Sequence, residues 1–144
     1  MIKKKLLIAS IILAFSTTSL FATDTALKKD MLQLNSELRE IQQGFISSDK
    51  DGLKVSIEKF AKHVEEFLGD KEKIKTMLSE KKKHKANEAI MSAQIINHNV
   101  QIILDAIENK YKRTGIIRRE ESQRAYTYIE HACFRCHNIV RDAE

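Results

Sequence analysis

Apolar residues recur at alternating intervals of four and three along this chain, and no proline interrupts them. Leu27, Met31, Leu34, Leu38, Ile41 and Phe45 form one such stripe, and Leu53, Ile57, Phe60, Val64 and Phe67 form a second. This spacing puts every member on one face of an α-helix. A third stripe holds Ala86, Ile90, Ala93, Asn97, Val100, Leu104, Ile107 and Tyr111; within it, Asn97 needs a polar partner or fixes the register. A fourth runs from about Glu120 to Arg141 through Ala125, Ile129, Ala132, Cys136 and Ile139. Glycine occurs only four times, and Lys, Glu, Leu, Ile and Ala abound, so local propensity agrees with long helices rather than sheet.

The punctuation fits the stripes. Thr23, Asp24 or Thr25 can cap the first helix. Ser47 to Gly52 reads as a turn, Gly69-Asp70 ends the second helix, and Arg113-Thr114-Gly115 closes the third. Lys71 to Lys85 is strongly basic, with Ile74, Met77 and Leu78 as its only large apolar residues. It reads as a connection with a few helical turns, either a solvated link or a docking surface for an acidic partner. The expected fold is all-α: an antiparallel four-helix bundle over residues 23–144. If the basic link turns back, the order is up-down-up-down. The start of the first helix, the end of the second, the start of the third and the end of the fourth then share one end.

The first residues read as an export leader. Met1-Ile2-Lys3-Lys4-Lys5 is a positive start, and Leu6 to Phe15 is an apolar stretch too short to span a bilayer comfortably. The segment then turns polar and ends on small Ala22, so cleavage is expected after Ala22, with an uncleaved anchor as the alternative. A leader over residues 1–22 implies a periplasmic protein with no membrane attachment after cleavage. It also removes three lysines and no acids from a chain of formal charge +5, leaving +2. That balance, with no Arg/Lys array interleaved with aromatics, argues against nucleic-acid binding.

Near the carboxyl end the sequence reads His131-Ala132-Cys133-Phe134-Arg135-Cys136-His137. Cys-x-x-Cys-His is the attachment signature of c-type haem. On a helix, Cys133 and Cys136 are one turn apart on one face, within reach of two vinyl groups of one porphyrin. His137 rises from the same patch toward the iron, as the axial ligand. Covalent attachment of one haem c also occurs outside the cytoplasm, in accord with the leader. Three other readings compete. A thioredoxin-like site needs a strand before the motif. A zinc site needs a second pair of ligands. A Cys133–Cys136 disulfide within a helix has little purpose.

A haem motif near the end of a C-terminal helix, in an exported chain of this length, resembles the class II cytochromes c, the cytochrome c′ family. The resemblance runs through Cys133-Phe134-Arg135-Cys136-His137-Asn138-Ile139-Val140-Arg141, including the basic Arg141 four residues after the histidine, and covers essentially residues 24–144. It implies one of two forms. In one, a methionine of the first helix ligates the iron and the protein is an electron carrier working with periplasmic redox proteins. In the other, an apolar side chain covers an open iron face that binds NO or CO. Met31 is the candidate ligand, and Leu27 or Leu34 the candidate cover. Ala86, Ala89, Ala93 and Ala132 are small enough to admit a flat ring, Val64, Phe67 and Leu68 are candidate walls, and Lys28, Lys29 and Arg141 are candidate partners for its propionates. His84 and Met91 are weaker candidates for ligation, while His63, His98 and His131 read as exposed or structural. The resemblance also implies a homodimer through the first two helices, although the stripes fit a monomer equally. No nucleophile–base pair or second cofactor motif suggests an enzyme.

Overall fold

The computed structural model describes residues 19–140. These residues are helical, and no strand occurs among them. The elements are α1 (Ser19–Ser47), α2 (Lys50–Leu68), a short α3 (Lys71–Met77), a 3-10 turn (Glu80–Lys85), α4 (Ala86–Glu108) and α5 (Gly115–Val140). The expected leader lies outside the described residues up to residue 18, and Arg141 also lies outside them. Among the described residues, no helix is long and apolar enough to cross a membrane.

Cross-helix pairs set the directions. Glu37 meets His63 and Glu40 meets Lys59, so α1 and α2 run antiparallel. Lys54 pairs with Glu108 and Glu65 with Asn97, so α2 and α4 do the same. Glu88 pairs with Arg135 near one end of α4, and Ala106 accepts from Arg118 near the other, which makes α4 and α5 antiparallel. Phe60, Ile41, Ile57, Ile103 and Ile129 are fully buried at the centre. Burial of side chains of this size contributes roughly 1.5–3 kcal/mol each.

The turns are tighter than the sequence suggests. Only Ser48 and Asp49 separate α1 from α2, and Ser48 takes a left-handed conformation (φ 57°). Asp49 caps α2 by accepting from the Gly52 amide at 2.9 Å, so Gly52 lies inside the helix rather than in the turn. Asp49→Ala is expected to cost about 1 kcal/mol, read as a shift in the urea midpoint. Gly44 allows α2 to close on α1: a Cβ there would meet Leu53 Cβ at 3.1 Å.

Several boundaries and faces differ from expectation. α1 is already helical at Ser19, so Thr23, Asp24 and Thr25 lie inside it instead of capping its start. α5 begins at Gly115, five residues earlier than expected. On α1 the most deeply buried face is Leu34, Glu37, Ile41 and Gly44, turned toward α2 from the apolar stripe because α2 packs closely on the Gly44 side. On α2, Leu68 is buried and Phe67 only partly so. α4 packs against both α2 and α5, so its buried arc is wider than one stripe. It takes in Ser92, Ile96, Asn99, Ile103 and Ala106, while Tyr111 is exposed beyond the helix. Asn99, not Asn97, is the buried amide; it donates to its own Ile95 carbonyl at 2.8 Å, while Asn97 reaches Glu65. Asn109 in a left-handed conformation ends α4 before Arg113.

Candidate haem-attachment site

Cys133, Cys136 and His137 lie in the last two turns of α5 and are all partly buried. The two cysteines pack against the core beside buried Ala132, while Phe134 and His131 point to solvent. The Ser92 hydroxyl of α4 hydrogen-bonds Cys136. One residue earlier, Arg135 donates to Glu88 at 3.3 Å. Cys136 thus looks to α4. The buried face of α4 is small at this end, with Ala86, Ala89, Ser92 and Ala93, and large further along, with Ile96, Val100, Ile103 and Ile107.

Cys133 lies nearer α1. Seven residues before it, the Tyr126 hydroxyl donates to the Leu38 carbonyl at 3.3 Å, and its ring meets Phe45 edge-on with centroids 5.7 Å apart. Antiparallel helices of equal rise keep register. A position eleven residues beyond Tyr126 is therefore level with those eleven residues before Leu38 and Phe45. The first is His137; the others are Leu27 and Leu34, with Met31 between them. Met31 is partly buried against the core and Leu34 is buried. Phe67 stands at the same end, its ring stacked on His63 and approached by Lys73. The structure therefore brings Leu27, Met31, Leu34, Phe67, Ala89 and Ala93 to the end that holds the cysteines. His84 and Met91 are exposed, as are His98 and His131. His63 is not: it is half-buried and paired with a buried glutamate.

The chain end is clasped. Lys85 donates to the Ile139 carbonyl at 2.7 Å, and Lys82 to the Val140 carbonyl. These are carbonyls of the last turn, which have no partner within the helix, and a cation there also suits the negative end of the helix dipole. The basic link thus folds over the end of the motif helix, a role its composition alone does not reveal.

The chemistry open to the motif is narrow. Side chains three apart on a helix have Cβ atoms about 5–6 Å apart, beyond the roughly 3.5–4.5 Å of an unstrained disulfide. Both cysteines are free thiols in this structure. Among the described residues, no three His, Cys, Asp or Glu side chains converge as metal ligands, and no strand leads into the motif. Two inward thiols one turn apart beside an imidazole are, by contrast, the donor set that a thioether-bound haem requires.

Burial pushes the Cys133 thiol up to about 11, helped by Cys136 and Glu130, and also raises Cys136 against the opposing effect of Ser92. The reactive thiolate is therefore scarce in the folded, unmodified chain at neutral pH. Alkylation of Cys133 by iodoacetamide is expected to climb about tenfold per pH unit and to level off only near 11, whereas in urea it levels off near the ordinary thiol value.

Compared with known proteins, the chain matches no family model, no curated protein and no solved structure.

Proposed function

We propose that this chain is an exported, periplasmic c-type cytochrome of the class II kind: an antiparallel four-helix bundle of α1, α2, α4 and α5 that carries one haem c and passes electrons between periplasmic redox proteins. What supports this reading most is Cys133-x-x-Cys136-His137 on the last, partly buried turns of α5, with both cysteines against the core and Met31 at the same end of the antiparallel helices. The antiparallel pairings of α1 with α2, α2 with α4 and α4 with α5 support the bundle.

Each residue has a distinct task in this reading. Cys133 and Cys136 would hold the porphyrin through thioether bonds, and His137 would offer a ring nitrogen to the iron. A haem c held here supplies a one-electron iron couple. Met31 would offer the iron a thioether, which raises the reduction potential relative to a second histidine. Leu27 and Leu34 would keep water away from the iron. Ala86, Ala89 and Ala93 on α4 leave room for a flat ring, and Phe67 walls it.

Burial of Leu34 favours a second reading. If Leu34 rather than Met31 covers the iron, the distal face is open to NO or CO, and the protein binds gas in place of carrying electrons. Optical spectra of protein made with a cytochrome maturation system decide between the two. The carrier reading expects a low-spin spectrum in both oxidation states that turns high-spin in Met31→Ala. A high-spin spectrum with ready CO binding in the unmutated protein overturns it in favour of the gas-binding form.

A further inference from the structure

A carboxylate that electron carriage does not need is buried between α1 and α2. Glu37 is only 2% exposed. Its Oε1 lies 2.6 Å from His63 Nδ1 and accepts from the Gln33 side-chain amide at 3.2 Å. Its Oε2 is buried with no hydrogen-bond partner. A carboxylate so placed keeps its charge only when a cation balances it. Lys59 is 3.9 Å away but is held at 2.9 Å by exposed Glu40, so His63 is the closer balance. The His63 side chain keeps 20% exposure, which gives protons a way in from solvent.

The pair also stands at the motif's end of the molecule. The register that sets Leu38 and Phe45 against Tyr126 brings Glu37 level with the turn of α5 that holds Glu130 and Cys133. Tyr126, Glu130 and, as a free thiol, Cys133 are the titratable groups α5 presents there. α4 brings neutral Asn99 level with His63, by the register of Glu65 with Asn97. From α3, Lys73 lies over Phe67, on which His63 stacks at 5.5 Å.

We infer that Glu37 and His63 form a proton-binding site coupled to the charge of the iron, so that this carrier takes up a proton with its electron. The inference rests on the cytochrome reading. Were a haem iron held here to gain an electron from a donor protein, the pair would take up a proton from solvent, and on loss of the electron to an acceptor it would return the proton to solvent. Added negative charge favours the protonated pair, and by linkage the proton favours the electron by the same factor.

The test is the midpoint potential of the haem-loaded protein as a function of pH, in the unmutated chain, Glu37→Gln and His63→Gln. The expected result is a potential that falls as pH rises in the unmutated protein and a flat profile in both variants. A slope that survives in both variants, or is absent from the unmutated protein, overturns the coupling. A second readout needs no variant: weakly buffered protein is expected to take up protons from solution as it is reduced, read with a pH indicator. No proton uptake on reduction overturns the coupling even if a variant fails to fold. Colour and mass are recorded first. A colourless product at polypeptide mass overturns the cytochrome reading itself, whereas a coloured product with a flat potential overturns only the coupling.

Discussion

Exported protein carrying Cys133→Ala and Cys136→Ala is expected to emerge colourless and at the mass of the bare polypeptide, while the unmutated chain made beside it is red and heavier. The effect is all-or-none because each thioether bond requires its own sulfur, and no other cysteine exists in the chain. The single variants are informative as well. Cys136 faces Ser92 of α4 and Cys133 lies toward Tyr126, so each single variant is expected to keep one tether on a different side of the ring. Denaturing electrophoresis with haem staining separates the outcomes. A double variant that still stains places the attachment elsewhere and removes the basis of the proposed function.

Phe60→Ala is expected to destabilise the fold by about 3–5 kcal/mol, a large share of the roughly 5–15 kcal/mol that holds a domain of this size together. Phe60 is fully buried in a core to which α1, α2 and α4 all contribute. Ile41, Ile57 and Ile103 of the same core are fully buried, branched side chains on helices, in a close-packed interior that resists collapse into the space left behind. Urea unfolding followed by circular dichroism measures the loss. A cost below about 1 kcal/mol would mean that the helices close over the cavity, contrary to the packing described.

The helices themselves were legible in the sequence, because stripes at 4-3 spacing encode a buried face whatever the neighbours are. Leu53, Ile57, Phe60 and Val64 are buried as their spacing expects. The motif was legible for a different reason: Cys-x-x-Cys-His is a chemical pattern rather than a packing one. What could not be read depends on partners. Glu37 sits beside the α1 stripe and looks like surface charge until α2 supplies His63 opposite it. A buried carboxylate and a half-buried imidazole twenty-six residues apart in sequence leave no periodic trace. The wide buried arc of α4 follows from its two neighbours, which no single-helix pattern can reveal. The sites for Leu27, Met31 and Leu34 lie between these cases: the stripe put them inside, but only the contact of Tyr126 with α1 set them level with His137.

Lys82 and Lys85, more than fifty residues before the carbonyls they hold, make the last turn of α5 dependent on a remote stretch of chain. An engineer who neutralised only Lys82 and Lys85 would leave every helix and every core residue in place, yet would fray the segment that presents His137. Two fixed positive charges at that spot also bias any oxidisable centre nearby toward holding its electron. The region that composition suggests could most freely be exchanged is thus tied both to the firmness of the motif and to its electrical setting.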